Sequence, residues 1–198
     1  MMKKIFLFIM ILLCFGCSDK VSTIKKASSD SLTYLFFKDL DIKHYVVYFF
    51  DRNVSNNDDS IIVIGRDDDK YYYEYNGSDK RKIIQIDGFK YTVSDDLKSY
   101  TKVESEVDDY SLGILPNDIS KLRTQGYKTG KAKVFNYRYT FEEYKFDSFT
   151  VVYYFKGKKL IYIKSISPIS TSLIKFDKFG KVDKKMFKIS NDYNEISY

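Results

Sequence analysis

The chain has 198 residues with 19 Tyr, 16 Phe, no Trp, one His, two Cys and a formal net charge of +6. Both cysteines, Cys14 and Cys17, sit near the start, so the chain beyond Cys17 has no thiol for a disulfide framework or a thiolate metal site. Basic and acidic side chains are interspersed along the sequence, which disfavours nucleic acid as a partner, since that partner wants a basic stripe or face.

The first predicted element is a leader. Lys3 and Lys4 precede an uncharged apolar run from Ile5 to Phe15. Spanning a bilayer takes about 20 helical residues, so the run reads instead as the h-region of a secretory signal. Gly16 followed by Cys17 resembles the bacterial lipobox, in which cleavage precedes a diacylated cysteine. Cys14 stands where that motif usually has Leu. The resemblance implies removal of residues 1–16, lipidation of Cys17 by fatty acids such as palmitate, and anchorage outside the cytoplasm on a bacterial membrane. Two or three acyl chains hold stably, each contributing about 0.8 kcal/mol per buried methylene. Residues 17–28 read as a polar tether with a coil reach of about 20 Å, and 29–198 as a single β-rich domain.

Ser29 or Asp30 is placed to cap a short helix, with Leu32, Leu35, Phe36 and Leu40 at helical spacing. From Tyr45 onward the texture is β, in keeping with the abundance of Tyr, Phe, Val, Ile and Thr. "HYVVYFF", "SIIVIGR", "KYYYEY", "KRKIIQI", "FKYTVS" and "SYTKV" are short apolar runs separated by Asn, Asp and Ser clusters that suit turns. Asp87–Gly88 predicts a two-residue hairpin turn that sets Ile86 opposite Phe89, Ile84 opposite Tyr91 and Lys82 opposite Val93. For the preceding hairpin, a four-residue loop from Asn76 to Asp79 places Glu74 against Arg81 and avoids opposing two acids. That register makes Tyr71, Ile84 and Tyr91 one apolar row.

Residues 104–130 interrupt the pattern. Pro116, the cap candidates Asn117 and Asp118, then Ile119, Leu122 and a stop at Gly126 predict one short helix between loops. The β texture resumes in "VFNYRYTFE", where Phe135, Tyr137, Tyr139 and Phe141 fall at period two. In "SFTVVYYFK" the residues Phe149, Val151, Tyr153 and Phe155 alternate likewise. A turn at Gly157 leads into "KLIYIKS". "SLIKFD", a turn over Lys178 to Gly180, and a closing "KVDKKMFKIS" complete the chain.

The stretches "YYYEYNGSDKRKIIQIDGFKYTVSDDLKSYTKV", "YYFKGKKLIYI" and "VDKKMFKISNDY" resemble the LolA-like lipoprotein-carrier family. In the last of these Asp183, Phe187 and Tyr193 match the family texture, with Ser190 where a proline is usual. The resemblance covers about residues 30–193. It implies a mainly β (α+β) fold, a curved antiparallel half-barrel sheet with a few short helices, and an apolar ligand in its concavity. Soluble carriers of that family lack an anchor, so Cys17 points to a tethered binder rather than a shuttle.

No reactive constellation appears. His44 has no nucleophile signature beside it and reads as a satisfied edge histidine. Asp67 to Asp69 and Asp58–Asp59 lack the alternating ligands, glycine and closing Glu of a calcium loop. No phosphate-cradling loop, zinc-ligand spacing or Gly-x-Ser-x-Gly is present. The expectation is a non-catalytic protein with no cofactor and no metal. Its lipid or other apolar ligand would be lined by Tyr71, Tyr73, Ile84, Tyr91, Phe135, Tyr137, Tyr139 and Phe141, with residues 104–130 as a lid. The alternative expectation is an anchored interaction module that presents tyrosines to another envelope protein and has no internal ligand.

Overall fold

The computed structural model describes residues 22–26, 29–53, 58–77, 80–105, 115–116, 118–168 and 171–196. The leader and Cys17 lie outside the described residues, as do residues 106–114 and 117 of the span read as a lid. The protein is mainly β: one large, open, curved sheet with, among the described residues, two short helices. The strands are β1 (Thr23–Lys25), β2 (His44–Asn53), β3 (Asp58–Asp67), β4 (Lys70–Asn76), β5 (Arg81–Ile86), β6 (Phe89–Ser94) and β7 (Ser99–Glu104). After the interruption come β8 (Tyr127–Val134), β9 (Tyr137–Lys145), β10 (Thr150–Lys156), β11 (Lys159–Ile166), β12 (Thr171–Gly180) and β13 (Asn194–Glu195). Helix α1 is Leu32–Phe37 and α2 is Ile119–Thr124.

The sheet order is β1-β8-β9-β10-β11-β12-β2-β3-β4-β5-β6-β7-β13. Two meanders, β2 to β7 and β8 to β12, are thus joined edge to edge where β12 pairs with β2. Neighbours are antiparallel except at the end, where β13 lies parallel to β7. The two outermost strands cross over: β1 closes the edge of the second meander and β13 the edge of the first.

The longest apolar runs mark the strands buried on both faces, as expected for the interior of a covered sheet. On β2, Tyr45, Val47 and Phe49 face the helices while Val46 faces away, and all four are buried. On β10, Val151 to Phe155 are all buried. The helix-bearing face carries the main core. Phe36 and Phe37 of α1 meet edge to face at 5.0 Å, Phe36 meets Phe176 at 5.3 Å, and Phe37 meets Tyr153 at 5.6 Å. Such pairs contribute about 0.5–1.5 kcal/mol each beyond their burial. Behind β2 to β6, the chain after β12 forms a 3-10 turn over Lys184–Phe187, and Phe187 packs on Tyr72, Ile84 and Val93. Tyr193 donates to Asp95 at 2.8 Å and helps hold this segment down.

Several expectations are corrected. The β4–β5 register is one residue away from that predicted: Tyr75 faces Arg81, Glu74 faces Lys82, Tyr72 faces Ile84 and Tyr71 faces Gln85. Both registers give Glu74 a basic partner, so charge did not distinguish them. The cover from Phe187 does, because it needs Tyr72 and Ile84 on one face, and a one-residue slip moves every side chain to the other. The Asp87–Gly88 hairpin forms as predicted, with positive φ at both residues. Residues Lys178 to Gly180 do not turn but extend β12 along Tyr48, Val47 and Val46, and the following stretch is a 3-10 turn rather than a strand. The tether span contains β1, and the interruption ends early because β8 begins at Tyr127. Phe135 and Asn136 form the β8–β9 turn rather than strand interior.

Helix α1 is short, and its start is secured from the sheet. Ser31, not Ser29 or Asp30, caps it by accepting from the Tyr34 N–H at 3.1 Å. The exposed Leu35 falls outside the buried face, and Phe37 takes its place in the core. Glu142 on β9 is 3 % exposed and its carboxylate accepts from Leu32 N–H at 2.8 Å, Thr33 N–H at 2.8 Å and Thr33 Oγ1 at 2.7 Å. A buried carboxylate is tolerated because donors surround it, and first-turn N–H groups have no partners within the helix. Hydrogen bonds to a charged group contribute about 1.5–3 kcal/mol each. Glu142→Ala is therefore expected to destabilise by about 3 kcal/mol or more, and Glu142→Gln by less. Urea unfolding of both variants checks this; equal midpoints for wild type and Glu142→Ala would rule out the clamp.

Candidate functional site

The helix-bearing face is largely filled by its own aromatic side chains. Among the described residues, a pocket on this face lies beneath α2. It has a volume of about 200 Å³, with Leu115, Leu122, Phe146, Phe149 and Tyr153 as its apolar lining and Asp118 and Lys121 at its polar rim. Tyr153, 2 % exposed, forms the floor, and burial pushes its phenol well above the ordinary tyrosine value. The β9–β10 connection builds one wall. Phe146 N–H donates to Phe149 C=O at 2.8 Å, and the two rings stack with centroids 4.7 Å apart. Asp118 caps α2, accepting from Ser120 N–H at 2.8 Å, and hydrogen bonds from Ser120 hold its carboxyl below the usual range. The Gln125 side chain donates to the Lys145 carbonyl and fastens the end of α2 to β9. Tyr144 and Tyr127 stack beside it at 5.4 Å.

Two other hollows of about 170 Å³ are more polar. One lies among Glu74, Lys80, Arg81, Lys82, Asp95 and Asp96, where Lys82 Nζ binds Asp95 at 2.6 Å and Lys80 approaches Asp96 at 3.6 Å. The other is a groove on the helix-free face of the second meander, between Ser22, Lys128, Phe141, Tyr154 and Lys164.

The eight residues expected to line a ligand do not converge. Tyr71 and Tyr73 lie on the helix-bearing face, Tyr71 under the Arg66 guanidinium at 5.0 Å and Tyr73 at the margin of the main core. Ile84 and Tyr91 lie on the opposite face with the closing segment. Tyr139 and Phe141 also face away from the helices, in a separate cluster with Val152 and Tyr154. Phe135 and Tyr137 are exposed at the β8–β9 tip. None lines the pocket beneath α2. Of the residues that do, Leu122, Phe149 and Tyr153 stand at the predicted periods, whereas Leu115, Phe146 and the position of the covering helix were missing from the sequence reading.

No family model matches the chain, and no curated protein matches it. Among the described residues, no helix is long and apolar enough to cross a membrane.

His44 stands at the head of β2 in an acidic setting. Its Nδ1 lies 2.9 Å from Asp41, and its Nε2 lies 3.3 Å from Asp68 and 3.8 Å from Asp67. The Asp41 hydrogen bond and the hydrogen bond and charge of Asp68 raise the imidazole's pKa, because the ring, once protonated, faces these carboxylates as a cation. A raised folded-state value stabilises fully below the unfolded value of about 6.5 and is lost as pH rises through the folded value. The melting-temperature difference between wild type and His44→Gln is expected to be largest below about pH 6.5 and to shrink as pH rises above it. A difference that does not change with pH would show that the ring acts only by packing.

Proposed function

We propose that this protein is a non-catalytic binder of a small apolar group, carried on a lipid anchor at Cys17 outside the cytoplasm. One observation carries the reading: the apolar pocket beneath α2, floored by Tyr153 and walled by the Phe146–Phe149 stack. Its volume of about 200 Å³ is comparable to an engineered cavity of about 150 Å³ that takes up benzene. It lies below the range of about 300–1,000 Å³ typical of drug-sized ligands. It suits one aromatic ring or the end of an acyl chain, with Asp118 and Lys121 left at the mouth to meet a polar head. The curved antiparallel sheet with helices on one face supports the LolA-like reading. Because Phe36 and Phe37 already fill much of that face, the ligand is smaller than a whole lipid.

Decanoate is a suitable probe. The full chain in mild detergent is expected to bind it, as read by calorimetry, with a negative heat-capacity change from apolar burial. Leu122→Trp fills the pocket and is expected to weaken binding at least tenfold while the melting temperature stays within a few degrees. Undiminished binding by Leu122→Trp, or none by wild type, would contradict the proposal.

A further inference from the structure

Charges interspersed in sequence are gathered by the topology. No Asp or Glu occurs between residues 119 and 141 or between 148 and 176, and the sheet brings these two acid-free stretches side by side as β8 with the first half of β9, and β10–β11. Because β9 and β10 run antiparallel, the turn at Phe135–Asn136 and the turn at Gly157–Lys158 lie at the same end of the sheet. They are two strand spacings apart, about 10 Å.

Both tips violate the rules of a stable hairpin. Lys133 faces Arg138 directly across one ladder, and Lys156 faces Lys159 across the other. Like charges so placed repel, and none of the four forms an ion pair with a described carboxylate. Lys158 adds a further exposed cation between them. The first tip also presents large apolar area to solvent, with Phe135 52 % and Tyr137 68 % exposed. Phe135 moreover holds φ at +51°, where a bulky side chain is strained and glycine is at ease. Local choices that each cost stability and coincide at one place mark a site where another surface is met.

We infer that these two tips form a seat for an anionic bilayer surface. Aromatic side chains at the headgroup level, flanked by Lys and Arg whose heads reach the lipid phosphates, are the pattern such an interface selects. The direction of the chain agrees. β1 is antiparallel to β8, with Thr23 opposite Thr129 and Lys25 opposite Tyr127, so the chain before Thr23 arrives from the side of the β8–β9 tip. Thr129 to Val134 spans about 17 Å of strand, and the residues from Cys17 to Thr23 extend at most about 20 Å. An acyl anchor on Cys17 can therefore lie level with the tips. This last agreement rests on the anchoring reading; the charge, exposure and strain do not.

The chain contains no Trp, so a single introduced Trp reports one position. Leu97, 74 % exposed on the β6–β7 turn at the opposite end of the other meander, is the control. In full-length protein with phosphatidylglycerol vesicles carrying a doxyl-labelled lipid, Phe135→Trp is expected to be quenched at least threefold more than Leu97→Trp. The quenching should disappear in phosphatidylcholine vesicles and in the added Lys133→Glu, Arg138→Glu pair. Equal quenching of the two reporters, or quenching indifferent to lipid charge, overturns the inference. So does a blue shift given by polyglutamate but not by vesicles, which would assign the end to an acidic polypeptide. Cys17→Ser in the reporter chain separates the two readings. Quenching that survives without the anchor supports recognition by the tips, and quenching that vanishes with it shows mere tethering. Phe135→Gly supplies a readout free of folding defects: it should raise the melting temperature and abolish vesicle binding, and unchanged binding would overturn the role of Phe135.

Discussion

The pairing of β12 with β2 is the constraint on which the architecture depends. Each meander alone would end in a long apolar edge, β2 on one side and β12 on the other. Joined, they form one sheet whose central strands have no free edge. The join runs from Lys175–Phe50 to Gly180–Val46 with an irregularity near Asp177. Val46, Val47 and Phe49 are fully buried along it, and burying such side chains is worth about 1.5–3 kcal/mol each. Gly180 sits where a Cβ would come within 2.9 Å of the Tyr48 ring, so the seam closes tightly at that end. A bulge and a glycine allow β12 to follow β2 further than a regular strand would.

Once the seam exists, each face needs its own cover, and the chain supplies cover unequally. On one face α1 packs on β10 and β12 and is fastened by the Glu142 carboxylate, while α2 lies over the β9–β10 connection, held by its cap and by Gln125. The fill is nearly complete there, and the pocket beside Tyr153 is what two short helices leave open. On the other face the closing segment covers only the first meander. The second keeps a cluster of its own around Phe141, Val152 and Tyr154, with lysines at its margins and the strained aromatic tip at its end. An apolar pocket on one face and a basic, aromatic end beyond the other both lie where the described chain leaves the sheet uncovered.

Much of this was legible in the sequence because period-two alternation and turn residues are local signals. The strands from "HYVVYFF" to "SYTKV", the Asp87–Gly88 hairpin, α1, and α2 with Asp118 as its cap all follow from them. What escaped depends on distant partners. The β4–β5 register turned on Phe187, a hundred residues away, and not on Glu74, which both registers satisfied equally. Lys178 to Gly180 looked like a turn until β2 was there to pair with it. Period two told which side chains share a face, but not which face α2 would cover, so Phe149 and Tyr153 were placed on one face without being recognised as pocket residues. The cation cluster was invisible for the same reason: Lys133 and Lys156 are neighbours only through β9 and β10.

The central claim is that the two meanders are one cooperative sheet held at the β2–β12 seam. Native-state hydrogen exchange across a urea series tests it most directly. The amides of Val46 to Phe49 and of Lys175 to Gly180 should share one exchange free energy equal to that of global unfolding. Seam amides that exchange through a cheaper opening, while β4 to β6 and β9 to β10 stay protected, would show two separately stable sheets laid edge to edge and would contradict the account.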